Sequence, residues 1–160
     1  MCFDKQVMSN MKNFILFCDG GSRGNPGPAA SGFVVYSHPE NLVNKGFTKE
    51  IMSETHLEIE DGEYLGNTTN NVAEWQAVVL GLKKIMEKFG TDINLSVFLD
   101  SELVVRQITG VYKVKHPNLR PYFLEVADLS KHFTKISFNH VYRADNKAAD
   151  AVVNRILDEV

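Results

Sequence analysis

A chain of 160 residues is long enough for one hydrophobic core and short for two. With 44% hydrophobic and 23% charged residues it has the make-up of a packed globular protein, which excludes wholesale disorder. A formal net charge of -3 excludes a generic histone-like nucleic-acid binder, but leaves room for an enzyme that meets phosphates through a local basic patch or through metals.

No apolar run approaches the ~20 residues that span a bilayer, so no membrane association is expected. The opening MCFDKQVMSNMKNF carries Asp4 and lacks an unbroken apolar stretch, which argues against a secretory leader. Cys2 and Cys18 make no disulfide framework, and a reduced, cytoplasmic setting with a monomeric chain is the expectation. Residues 1–12 read as a flexible tail ahead of a single domain over 13–160, and Met8 and Met11 leave the natural start open.

FILFCD (14–19) is a compact apolar run ending in Asp and reads as a buried strand. GGSRGNPGPAA follows, dense in Gly and Pro, and predicts a tight loop. SGFVVYS (31–37) has strand composition, closed by HPEN. Between Thr48 and Glu63 the pattern predicts strand character at Leu57 and Ile59, with a turn at Asp61-Gly62. From Asn70 the period changes: Val72, Trp75, Val79, Leu82, Ile85 and Met86 recur at helical spacing as far as Phe89, with Gly90 as the stop. INLSVFLD (93–100) is another strand ending in Asp, and SELVVRQIT is a short helix closed by Gly110. A helix over roughly 121–132, a strand at 135–142 and a final amphipathic helix in DNKAADAVVNRILDEV complete a mixed α/β order.

Two strands thus end in aspartate, Asp19 and Asp100, and in α/β sheets functional groups gather at the carboxyl ends of strands. Either residue could instead serve as a helix cap or loop starter; Asp100 could cap the helix that begins near Ser101. Glu74 in NNVAEW and Asp150 between Ala149 and Ala151 are acids among apolar neighbours, costly to bury without a positive partner. If the four converge, divalent ions with a taste for hard oxygen, Mg²⁺ or Mn²⁺, would remove their repulsion. The spacing permits convergence and does not require it. The Gly-rich loop has neither the P-loop lysine nor the G-x-G-x-x-G register, so a nucleotide-binding reading fails. So much bare backbone after a strand-end acid fits close approach by a polyanion; the plain alternative is a turn-rich hairpin.

Asp19-Gly20-Gly21-Ser22-Arg23-Gly24-Asn25-Pro26-Gly27-Pro28-Ala29 resembles the opening motif of type 1 ribonuclease H. Thr68-Thr69-Asn70-Asn71-Val72-Ala73-Glu74 resembles its second motif and Asp100-Ser101 its third. Arg143-Ala144-Asp145-Asn146-Lys147-Ala148-Ala149-Asp150 is similar to the fourth, in the short form found in archaea and some bacteria, and the resemblance runs from about Phe14 to the C-terminus. It implies a ribonuclease H-like α/β fold, a five-stranded mixed sheet of order 3-2-1-4-5 flanked by α-helices. It implies an endonuclease that hydrolyses the RNA strand of RNA–DNA hybrids with two metal ions, leaving 5′-phosphate and 3′-hydroxyl ends. Carried over by motif, Asp19, Glu74, Asp100 and Asp150 are the metal-binding catalytic carboxylates. Gly20, Gly21 and Ser22 lie along the minor groove, where 2′-hydroxyls mark RNA. Asn25, Asn70 and Asn71 touch the hybrid, and Thr69 with Asn25 fits a DNA-phosphate pocket.

The chain departs from the pattern of longer members in three respects. A short VYRADN stands where the bacterial form carries a histidine-bearing flap, leaving Arg143 as the candidate for that task; His140 reads as a structural or surface residue. Glu102 stands where many members carry Gln, and there is no basic protrusion with a tryptophan; Trp75, the only Trp, reads as core. Grip must come from elsewhere, and between Glu102 and Glu125 stand Arg106, Lys113, Lys115 and Arg120 with no acid. This stretch is either a solvated face or a phosphate track in which Lys113 and Lys115 bind substrate. Cys18 reads as a small strand hydrophobe. The rival from another class is a catalytically silent hybrid- or RNA-binding module on the same fold, which four carboxylates disfavour.

Overall fold

Alternation along the first apolar run sends Phe14, Leu16 and Cys18 to one face of a sheet and Ile15 and Phe17 to the other. A strand apolar on both faces belongs in the middle, and there it lies. The computed structural model describes residues 11–160. Strand β1 (Lys12–Ser22) pairs antiparallel with β2 (Gly27–His38) and parallel with β4 (Ile93–Leu99). β3 (His56–Thr68) extends the sheet beyond β2, and β5 (Lys135–His140) beyond β4. The order is β3-β2-β1-β4-β5, as the resemblance implied.

Helices α1 (Asn70–Phe89), α2 (Glu102–Ile108) and α3 (Arg120–Ser130) cover the first face. Trp75 is fully buried there, edge-on to Phe123, which bears out its reading as core. Helix α4 (Lys147–Asp158) covers the second face through Ala149 and Val152. The rest of that face is covered by the β2–β3 connection, where Leu42, Phe47, Ile51 and Met52 pack on the sheet. Phe17 and Phe98 stack at 5.2 Å and Phe47 meets both edge-on, so a segment with one 3-10 turn (Lys49–Glu54) does a helix's work.

The Gly/Pro segment is the turn-rich hairpin given above as the plain alternative: the tight loop is only Arg23–Pro26, because the flanking glycines and alanines pair across β1 and β2. Asp61-Gly62 is not a turn. Gly62 pairs with Gly32 inside β3, and a Cβ on it would come within 2.4 Å of the Ser31 carbonyl oxygen and 2.7 Å of Ile156 Cδ1. The glycine is there for close packing against β2 and α4. β3 stays continuous by bulging: Ala29 pairs with Gly66 and Ala30 with Tyr64, leaving Leu65 as the extra residue. β1 takes in Lys12, opposite Ile93, from the expected tail; residues 1–10, Cys2 among them, lie outside the described residues. β5 stops at His140 rather than 142, and a 3-10 turn at Arg143–Asp145 leads into α4, which starts at Lys147. Among the described residues, no helix is long and apolar enough to cross a membrane.

Candidate active site

Parallel pairing of β1 with β4 ends at Cys18 opposite Leu99, while β1 goes on pairing with β2 as far as Ser22 opposite Ala29. The sheet therefore splits on one side of β1, and the next residues, Asp19 and Asp100, stand at the split. Asp19 is inside its strand rather than at its end; Asp100 lies just past β4. Asp100 does not cap α2, because the Ser101 Oγ takes that task, accepting from the Val104 N–H at 3.2 Å.

Glu74 arrives from α1. A Cβ on Gly20 would lie 2.2 to 2.4 Å from the backbone of Ala73 and Glu74, so only glycine lets α1 rest on β1 here. The bare side of Gly20 thus faces the helix, which gives it a packing role beside the expected substrate role. Asp150 comes from the first turn of α4. Asp19, Glu74, Asp100 and Asp150 line one cleft together with Gly20, Gly21, Ser22, Asn70 and Arg143. Four acids from four elements, expected only to be able to converge, share one cavity.

Asp19 is 8% exposed, and burial, then the charges of Asp100 and Asp150, push its carboxyl up to about 8; a hydrogen bond with Asp150 adds to the rise and the Gly20 backbone opposes it. Burial is also the largest cause that lifts Glu74 to about 7; a Ser101 hydrogen bond and the Arg143 charge work against it, and Asp100 works with it. Among the described residues no three His, Cys, Asp or Glu side chains stand arranged as a metal cage. The donor set nevertheless fits a hard divalent cation: every acid in the cleft offers oxygen, and the same positive charge would relieve both burial and repulsion.

The remaining residues of the motifs fall into two groups. Asn70 Oδ1 accepts from the Ser22 N–H at 2.8 Å and from Ser22 Oγ at 2.9 Å, and the Asn70 N–H donates to Asn25 Oδ1 at 3.1 Å. This ties the β1–β2 hairpin to the start of α1. Thr69 Oγ1 caps α1 by accepting from the Val72 N–H at 3.2 Å. Asn25, Thr69 and Asn71 line a second pocket with His116 and Asn118 from the α2–α3 loop. Lys113 and Lys115 are exposed on that same loop and line neither cavity. Arg106 leaves the basic stretch, since its guanidinium pairs with Glu102 at 2.6 Å and lies 5.4 Å from the centre of the Tyr112 ring.

His140 is an exposed neighbour of Tyr142 outside the cleft, as expected. Cys18 is buried against the Ala77 carbonyl, its thiol pushed up by burial and by the Asp19 charge, as befits an inert strand residue. Sequence reading missed Ser101, whose signal was a serine directly before a helix. It also missed the role of Asn146, quoted only as part of the fourth motif, whose side chain reaches Cys18 across 128 residues.

The comparisons agree with this picture. A family model described as reverse transcriptase-like matches residues 17–156. The bifunctional protein Rv2228c of Mycobacterium tuberculosis is 35% identical over 144 residues, which cover 90% of this chain and 35% of that protein. The ribonuclease HI of Halobacterium salinarum is 36% identical over 89% of this chain and 63% of its own length, so the chain spans only part of the curated relatives it matches. The crystal structure of RNase H1 from that archaeon superposes with a TM-score of 0.78 at 34% identity, covering 92% of this chain and 99% of that one. LC11-RNase H1, solved in complex with an RNA/DNA hybrid, gives 0.76 at 36% identity, covering 92% and 98%. Fold and site define a ribonuclease H-like α/β protein with an acidic cleft where its central parallel strands part. Within that class, the chain belongs to the type 1 ribonuclease H family.

Proposed function

We propose that this chain hydrolyses the RNA strand of RNA–DNA hybrids as an endonuclease, leaving 5′-phosphate and 3′-hydroxyl ends. The observation that carries the reading is the meeting of Asp19, Glu74, Asp100 and Asp150 in one cleft beside Arg143. The family in general uses divalent metal ions. Two bound Mg²⁺, or Mn²⁺, would supply an activated water and charge stabilisation at the scissile phosphate. Asp19, Glu74, Asp100 and Asp150 would hold the ions through their carboxylate oxygens. Arg143, exposed at the rim, pairs with a phosphate oxygen as negative charge builds there. The Asn25–Thr69–Asn71 pocket seats a phosphate of the DNA strand. Gly21, Ser22 and the side-chain amide of Asn70 face the minor groove of the hybrid on the RNA side. Lys113 and Lys115 steer the backbone from outside. The working form is a cytoplasmic monomer with the activity carried by residues 13–160.

The test is to offer matched RNA–DNA, RNA–RNA and DNA–DNA duplexes with and without Mg²⁺. RNA-strand cleavage confined to the hybrid and dependent on Mg²⁺ is expected. An intact hybrid that is nonetheless bound would leave the silent binding module instead.

A further inference from the structure

We propose that Asn146 is a positioning residue that fixes the Asp19 carboxylate against Asp150; the inference deepens the nuclease reading and rests on it. Asn146 occupies the position just before α4, where an asparagine ordinarily turns its side-chain oxygen back to cap the helix. Here it does not: the side chain makes no cap hydrogen bond. Instead its Nδ2 donates to the Cys18 carbonyl at 2.9 Å, and its Oδ1 is buried without a hydrogen-bond partner among the described residues. The whole residue is 1% exposed.

An arrangement that forgoes a cap and leaves a buried acceptor unpaired does not serve helix stability. The place it reaches explains it better. Cys18 is the last residue of β1 paired to β4, and the one before Asp19. With β4 ending at Leu99, the β1 backbone enters the split with support on one side only, and the Asn146 amide supplies support at that point. The same residue's carbonyl accepts the Asp150 N–H at 3.2 Å. One residue therefore holds β1 by its side chain and Asp150 by its backbone, setting how far apart the two acids sit. Outer partners of this kind orient ligating groups, and their loss typically lowers metal affinity or activity by about 10–100-fold.

The experiment compares the wild-type chain with Asn146→Leu, which keeps the branching of the side chain and removes the donor, and Asn146→Ser, which is too short to reach Cys18 yet can cap the helix. Five quantities are measured: kcat and KM on the hybrid, calorimetric Mn²⁺ affinity, hybrid binding in EDTA, and melting temperature without metal. We expect kcat and Mn²⁺ affinity to fall about 10–100-fold in both variants. KM and metal-free hybrid binding should stay within about twofold, in folded proteins. Unchanged kcat and Mn²⁺ affinity in either folded variant overturns the proposal. So does failure of both variants to fold, or a loss of activity accounted for by the unfolded fraction, since the role would then be structural. A wild-type chain that leaves the hybrid uncut refutes the nuclease reading itself, whatever the variants do.

Discussion

Asp19 and Asp100 are the first residues past the last parallel rung between β1 and β4, Cys18 opposite Leu99, and they reach the cleft from adjacent strands. Their nearness follows from strand register, so it does not depend on a flexible loop, and their charges oppose each other. Replacing either with Asn keeps the shape and removes a ligand charge. Asp19→Asn and Asp100→Asn are each expected to abolish hydrolysis of the hybrid while binding in Ca²⁺ survives. Gel-shift titration beside a cleavage assay checks this, and near-normal turnover in either variant removes that acid from the centre of the mechanism.

The metal-free protein should carry the same repulsion as a pH-dependent loss of stability. Asp19 keeps its proton up to about 8 in the folded chain, chiefly because it is buried, whereas an unfolded aspartate releases it near about 4. Between those values the folded form binds the extra proton, so stability falls as pH rises through the window and levels off above it. Asp19→Asn should therefore raise the melting temperature in EDTA, by more at pH 8 than at pH 5. Equal shifts at the two pH values would mean that Asp19 is not the titrating group.

The part of this site that was legible in sequence came from order and spacing. Two apolar runs ending in Asp19 and Asp100 named the central strands, and acids inside the Ala/Val faces at Glu74 and Asp150 named the helices. What misled was composition without partners. Gly62 looked like a turn beside Asp61, yet its missing side chain answers Ser31 and Ile156, one of them 94 residues away in the chain. The hairpin glycines looked like loop because pairing between β1 and β2 cannot be read from one strand. Arg106 counted as a free base until its helical neighbour Glu102 was seen to hold it, a pair that the four-residue spacing did permit one to read. Asn146 lay beyond reach, because its partner belongs to the first strand.

Substrate grip should be separable from chemistry on the α2–α3 loop. Lys113 and Lys115 are exposed, while the far end of the loop supplies His116 and Asn118 to the Thr69 pocket. Replacing both lysines with Ala is expected to raise KM several-fold and to flatten its dependence on salt, since fewer counterions are released on binding. The kcat should change little. Kinetics at two or more salt concentrations decide the matter; an unaltered salt slope would reduce the pair to a solvated face.

Arg143 offers the sharpest separation of a catalytic from a surface role. It is exposed on the 3-10 turn that follows β5, lines the acidic cleft, and has no salt-bridge partner among the described residues. Asp145, two residues on, is not paired with it either. Its charge instead reaches Glu74, whose carboxyl it draws down against the upward push of burial. A guanidinium stays protonated at any working pH, so it cannot act as the neutral base that a histidine in a flap could be. What it can do is grip a phosphate oxygen with its planar fork as charge develops. Arg143→Ala is expected to lower kcat by roughly tenfold to a thousandfold, the range for losing one transition-state donor. Arg143→Lys should recover only part of that, because the charge returns without the fork. Being exposed, the residue should leave the melting temperature almost unchanged in both variants, so kcat and thermal stability measured on the same preparations separate the two roles. A wild-type kcat in the Ala variant would retire Arg143 from catalysis.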